Sequence, residues 1–193
     1  QQGGVGAGTG MIAFQFKAGI GTASRVLPAA AGGYTVGVLV NANMARRPQL
    51  LVDGTHVGRA ITDLMPQHKT PDGSVIIVVA TDAPLDHAEL LSVARRAALG
   101  LARTGATSMP SSGDLVIAFS TANVVPHYPQ AATYAMTVLS RYHIDPVFTA
   151  TEDATEEAIL NALLAARTMT GRDGHTVYAL PHARLQEILA GQR

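Results

Sequence analysis

Residues 74–80 read Ser-Val-Ile-Ile-Val-Val-Ala, an apolar and mostly β-branched run whose one hydroxyl stands at its first position. Branched side chains suit a pleated strand, and a run without polar alternation is expected to form a strand buried on both faces. The stretch before it, residues 68–73 (HKTPDG), is turn-forming and ends on Gly73.

Other elements assemble around that strand. The alternation of Ile12, Phe14 and Phe16 reads as a strand followed by a loop, and residues 34–40 (YTVGVLV) as a second strand ending in Asn41-Ala42-Asn43. Residues 44–73 turn polar and read as a mobile connection with one short ordered piece at 50–64. Thr81-Asp82 supplies cap-type side chains and Pro84 a first turn for a helix over 87–104. A strand over 113–119 follows, then a helix over 128–142. A further helix over 152–170 carries Ala158, Ile159, Ala162, Leu163, Ala166 and Met169 at helical spacing. A short strand at 176–179 and a helix at 182–189 complete the reading. Strands and helices mix without strict βαβ alternation and without an internal repeat, so the class is a layered α/β or α+β fold.

At 193 residues, 47% hydrophobic and 15% charged, the chain suffices for one domain with a substantial core and is too short for two ordinary ones. The low charge fraction points to an outer surface partly covered by another subunit. Net charge is zero, and basic residues cluster no further than pairs such as Arg46-Arg47 and Arg95-Arg96, so no electrostatic case for nucleic acid exists. Without cysteine, disulfides and thiolate chemistry are excluded, and the compartment, cytoplasm or periplasm, stays open. No apolar stretch reaches the roughly 18–20 residues of a membrane span. The opening Gln-Gln-Gly-Gly resembles neither a natural start nor a secretion signal, so further sequence is expected upstream.

Cofactor motifs fail on inspection. Gly4 and Gly6 would need a glycine at Thr9 to make a dinucleotide fingerprint, and no Gly-Lys-Ser/Thr follows, so the segment reads as backbone that closely approaches a neighbour. The seven histidines form no metal-binding spacing and adjoin no G-x-S-x-G elbow. Neither a metal nor an organic cofactor is expected.

The constellation with chemical content joins Gly73-Ser74, Ser112, Asp114 and Asn43. A serine opening a strand after glycine is where a self-cleaving hydrolase carries its nucleophile: the chain is cut before Ser74, and the freed α-amine becomes the base. That amine has a reference pKa of about 7.7–8.0, suited to general-base work near neutrality. Ser112 and Asp114 stand two apart at the head of a strand, hence on one face, where Ser112 could orient a proton and Asp114 hold Ser112. Asn43, or Asn41 one pleat away, could supply an oxyanion donor. Taken singly, each has a plainer use: turn hydroxyl, turn cap, loop amide.

The segments GVGAGTGMIAF, FKAGIGTASR, VGVLVNAN, DGS, VIIVVATDAPL, SSGDLVIAFSTAN and ATEEAILNALLAARTMTGRDG follow in an order that closely resembles the L-aminopeptidase D-Ala-esterase/amidase family. That family includes β-peptidyl aminopeptidases and nylon-oligomer hydrolases, and the likeness covers nearly all of residues 3–189. It implies a layered α-β-β-α sandwich, arranged like the N-terminal-nucleophile hydrolases but differently connected. It implies one catalytic domain over 1–193, cut between Gly73 and Ser74 into the end of an α subunit (1–73) and a β subunit (74–193). The two are expected to stay together and to form an oligomer of αβ units, a tetramer among the arrangements allowed. Ser74 matches the family nucleophile, Ser112 and Asp114 the supporting hydroxyl and acid, and Asn43 the oxyanion asparagine. Members of the β-peptide type carry Glu where this chain has Asp114. The family's longer N-terminal α-subunit part, with its group for the substrate amine, is absent from this sequence. The expected activity is removal of N-terminal residues from short peptides, amides or esters, D- and β-amino acids among them, through an acyl-enzyme on Ser74. Nylon-oligomer-type amide hydrolysis, acyl transfer and a non-catalytic ring-assembly role are the alternatives.

Overall fold

The run that opens at Ser74 lies inside a four-stranded sheet, where it is third in order. The computed structural model describes residues 1–67, 73–107 and 109–191. Its strands are β1 (Ile12–Ala13), β2 (Phe16–Lys17), β3 (Ile20–Val26), β4 (Thr35–Asn43), β5 (Ser74–Thr81), β6 (Leu115–Ser120), β7 (Met169–Thr170) and β8 (Thr176–Val177). Its helices are α1 (Val57–Ala60), α2 (His87–Arg103), α3 (Asp145–Leu164) and α4 (His182–Ala190). The main sheet runs β3-β4-β5-β6, antiparallel except for the β5/β6 pair, which is parallel and bridged by α2. A parallel pair needs such a crossover, so β5-α2-β6 is the one βαβ unit in an otherwise antiparallel sheet.

Helices α2 and α3 cover one face. Val36, Val38, Val40 and Ala42 of β4 and Val75, Ile77 and Val79 of β5 point into them and are buried. Each of these valines and the isoleucine contributes on the order of 1.5–3 kcal/mol when fully removed from water. Two glycines set the spacing of the layers. A Cβ on Gly21 would run into the Ala158 carbonyl oxygen, and one on Gly100 would meet the Glu152 carbonyl and Thr155 of α3. Small residues on α3, among them Ala154, Ala158 and Ala162, complete that close approach.

The expectation of two buried faces for residues 74–80 is corrected. Burial along β5 alternates, and Ile76 is exposed on the face away from the helices, next to Leu115 and on the same face as Leu39, Ile117 and Phe119. Away from the Asn41 and Asn43 end, which the N-terminal segment overlies, this face has no cover among the described residues, and it has the composition of a surface built to meet another layer.

Several element boundaries also differ from the sequence reading. Ile12, Phe14 and Phe16 do not share a strand: Phe14 and Gln15 take φ of 50° and 58°, turning the chain into the β1/β2 hairpin. The segment read as a loop after it contains β3. Helix α2 is capped by Asp86, which accepts from Glu89 N at 2.9 Å while Glu89 accepts from Asp86 N. Asp82 instead accepts from Thr35 N at 2.6 Å and ties β4 to the end of β5. No helix forms over residues 128–142, where the only regular piece is a 3-10 turn at Arg141–His143. Asn123 instead ties this segment back to the turn after β6 by bonding both backbone groups of Thr137. Helix α3 starts seven residues before the expected 152, with Pro146 in its first turn, and stops at Leu164, so Met169–Thr170 is free to pair with β8.

The connection after β4 is anchored through residue 67 rather than mobile. Arg47 is buried and donates to the carbonyls of Phe14, Gln15, Ile61, Asp63 and Leu64, with its guanidinium over the Phe16 ring at 3.3 Å. Burial lowers its pKa to about 10, against the opposing pull of Asp63. The turn expected at HKTPDG lies outside the described residues except for Gly73.

Candidate active site

Strand pairing places Asn43, the last residue of β4, directly opposite Ser74, the first of β5. Both side chains stand on the sheet face away from the helices, since their neighbours Ala42 and Val75 are buried toward them. Gly73 lies against the same strand end. A Cβ there would overlap the Asn43 carbonyl oxygen and come within 2.7 Å of the Asn43 carbonyl carbon. Glycine at this position is therefore required by close backbone approach; its φ is not in the left-handed region.

The turn before β6 brings in the third component. Gly113 N donates to Ser74 Oγ at 2.9 Å. Ser112 Oγ lies 2.6 Å from Asp114 Oδ1 and 3.1 Å from the Gly73 carbonyl oxygen, and its single proton serves one of them at a time. Asp114 Oδ1 also accepts from Val75 N at 3.2 Å, which links the acid to the residue after Ser74. Ser112 and Asp114 do meet, but by this hydrogen bond in a turn: β6 begins only at Leu115, so they do not share a strand face. One carboxylate thus braces a hydroxyl that touches the carbonyl on one side of the Gly73–Ser74 bond, while the Ser74 hydroxyl stands on the other.

Asn43 Oδ1 accepts from Ile12 N at 3.1 Å, which leaves the Nδ2 hydrogens for another acceptor. A cavity of about 220 Å³ opens there, lined by Gly10, Met11, Ile12, Asn43, Ala45 and Gly73. Asn41 sits one pleat away, opposite Ile76 instead of Ser74, with Nδ2 at 3.5 Å from the Ala7 carbonyl. Its Oδ1 is buried and is without a partner among the described residues. Register therefore puts Asn43, and not Asn41, beside the hydroxyl.

The glycine-rich segment packs backbone on backbone. Cβ atoms on Gly8 or Gly19 would collide with the Gly3 carbonyl oxygen, and Gly3 pairs with Ile20 as an extra bridge on β3. Sequence reasoning does not single out Lys17, which is buried beneath this segment and donates to its Gly8 and Met11 carbonyls and to the carbonyl of the adjoining Ala18. A lysine between Phe16 and Ala18, where its neighbours are apolar, was the available signal. Among the described residues no group of three or more histidines and carboxylates comes together as a metal site, and no helix is long and apolar enough to cross a membrane.

Comparison with known proteins adds a family to this geometry. The model of peptidase family S58 matches residues 1–177. The β-peptidyl aminopeptidase BapA of Sphingosinicella microcystinivorans is 41% identical over 206 residues, covering 100% of this chain and 52% of that protein. The solved β-aminopeptidase of a Burkholderia species superposes with TM-score 0.89 at 43% identity, covering 98% of this chain and 54% of its own. The L-aminopeptidase D-Ala-esterase/amidase of Ochrobactrum anthropi superposes with TM-score 0.92 at 41% identity, covering 100% and 53%. That structure is described as a prototype for the serine aminopeptidases and a new variant among the Ntn hydrolase fold. The chain spans about half the length of the curated relatives it matches.

Proposed function

The chain belongs to peptidase family S58, and from that premise we propose that it is the nucleophile-bearing part of a self-processing serine aminopeptidase. The observation that carries this reading is the placement of Ser74 Oγ, the Gly73 carbonyl and the Ser112–Asp114 pair at one sheet end.

In maturation, Ser74 Oγ adds to the Gly73 carbonyl carbon. The Ser112 hydroxyl, at 3.1 Å, donates to the carbonyl oxygen as it gains charge. Collapse with cleavage of the C–N bond transfers the Gly73 acyl group to oxygen, and the nitrogen takes up a proton to become the Ser74 α-amine. Water then hydrolyses the ester, leaving a carboxylate on Gly73 and a free hydroxyl on Ser74.

In turnover the same hydroxyl attacks the carbonyl of a substrate's N-terminal residue. The Ser74 amine accepts its proton, Asn43 Nδ2 stabilises the oxyanion and water releases the acyl group. Asp114 keeps Ser112 oriented. The two products are expected to stay together, because β4 and β5 remain paired along their length after the cut. The uncovered sheet face is where the second sheet of an α-β-β-α sandwich would lie. Substrates of the reaction are short peptides, amides or esters with a free amine. β-Aminoacyl compounds belong in the first test because two relatives carry that name.

The test is a panel of α-, β- and D-aminoacyl p-nitroanilides with their N-acetylated counterparts, using the full-length protein and Ser74→Ala. Release of p-nitroaniline from free-amine compounds alone, lost in the variant, is expected. Equal cleavage of acetylated compounds, or activity surviving in the variant, would overturn the reading.

A further inference from the structure

Lys17 is 3% exposed, and its ammonium is held by carbonyls rather than by a carboxylate: Met11 O at 2.8 Å, Ala18 O at 2.8 Å and Gly8 O at 3.3 Å. The Met11 carbonyl and the Ile12 N–H are the two ends of a single peptide group. At its other end this group donates to Asn43 Oδ1 at 3.1 Å. A cation on the carbonyl draws electron density along the amide and strengthens the N–H as a donor, as bonds in a chain polarise one another.

We propose that Lys17 is the positioning residue for Asn43, acting through the Met11–Ile12 peptide to hold the carboxamide oxygen and so present Nδ2 to the cavity beside Gly73. The proposal rests on the reading of Asn43 as an oxyanion donor. It accounts for a buried cation that the reaction does not otherwise use. It also gives the glycine-rich segment a task, since the Gly8 and Met11 carbonyls can converge on one ammonium only where the backbone packs as closely as it does around Gly3, Gly8 and Gly19.

The neighbours facing the ammonium are the backbones of Gly4, Gly8, Met11 and Ala18. No titratable side chain contributes to its shift; burial alone lowers the pKa from 10.5 to about 8. The relay is therefore charged at neutral pH and weakens on mild alkalinisation, when the neutral amine donates less strongly.

The experiment is a double-mutant cycle on the full-length protein, with kcat and KM measured across pH for wild type, Lys17→Met, Asn43→Ala and the double variant. Lys17→Met should lower kcat on the order of tenfold with KM within about twofold, and should add nothing in the Asn43→Ala background. The wild-type kcat should fall above a pH of about 8, and Lys17→Arg, which stays charged, should restore activity there. Multiplicative single effects, or a wild-type profile with no alkaline fall, overturn the proposal. A second readout needs no turnover: the side-chain ¹⁵N signal of Asn43 should shift with an apparent pKa of about 8 in the wild type, and a shift that persists unchanged in Lys17→Met belongs to the Ser74 amine opposite and refutes the relay. A signal that stays still across that range refutes the relay even where the enzyme is active. A shift that Lys17→Met abolishes, in a protein that hydrolyses nothing, keeps the relay and removes the proposed reaction.

Discussion

Gly73→Ala should separate close packing at the cleavage bond from ordinary backbone freedom. The added methyl would overlap the Asn43 carbonyl oxygen, lie 2.7 Å from the Asn43 carbonyl carbon and 3.1 Å from Met44 Cα. All three are backbone atoms, so no side-chain rotation relieves the clash, and the ends of β4 and β5 must part by roughly an ångström. Overpacking of this kind costs about 1–3 kcal/mol of stability. Because Asn43 and Ser74 face each other at that strand end, the same shift misplaces the reacting groups, and an ångström of misplacement is worth about 100-fold in rate. Self-cleavage should therefore slow by about two orders of magnitude while the fold survives. The control is Gly113→Ala, whose Cβ would stand 3.6 Å from Ser74 Oγ, an ordinary contact. It should process at a rate close to wild type. The assay is the ratio of cut to uncut chain by mass against time, paired with a denaturant melt. Processing of Gly73→Ala at the wild-type rate would refute the packing argument, as would equal slowing in both variants.

Other perturbations report on separate parts of the account. Asn43→Ala should reduce kcat by about 10²–10³-fold, the usual loss for one oxyanion donor, with little change in KM; steady-state kinetics on a cleaved p-nitroanilide would show it. Arg47→Met leaves the carbonyls of Phe14, Gln15, Ile61, Asp63 and Leu64 without their shared donor and should destabilise by at least about 3 kcal/mol in a urea melt. Lys17 is protonated in the unfolded chain up to 10.5 and in the folded chain only to about 8. Between those values the unfolded state binds more protons, so folding stability attributable to Lys17 rises with pH, and the rise should vanish in Lys17→Met. Urea midpoints measured at a series of pH values check the sign.

The parts of the fold that were legible in the sequence are those fixed by local pattern. The β-branched run of β5, the apolar spacing in α3 and the Asn-Ala-Asn end of β4 each identify their element from within. Gly73-Ser74 and Ser112-Gly113-Asp114 also stood out locally, because small polar residues at a strand head are conspicuous beside apolar runs. What the pattern hid was set by tertiary contact. β3 reads as a loop because Gly21 sits where a larger residue would strike α3, which breaks the apolar alternation. The false helix at 128–142 came from an apolar-rich stretch whose Tyr134, Met136 and Val138 recur at every second position, with Asn123 pairing to Thr137 from fourteen residues away. The partners of Lys17 and Arg47 are backbone carbonyls, which no residue type advertises; for Lys17 only its apolar neighbours Phe16 and Ala18 hint at burial. The open face of β5 was missed because a continuous apolar run cannot say whether its second cover belongs to the same stretch of chain.

The central claim, that one bond is both the maturation site and the source of the nucleophile, is tested most directly by the intact mass of the purified full-length protein beside Ser74→Ala. The account predicts that the wild type divides into two chains, one ending at Gly73 and the other beginning at Ser74 with a free amine, and that the variant stays whole. A wild-type protein that hydrolyses aminoacyl amides as a single uncut chain would contradict it.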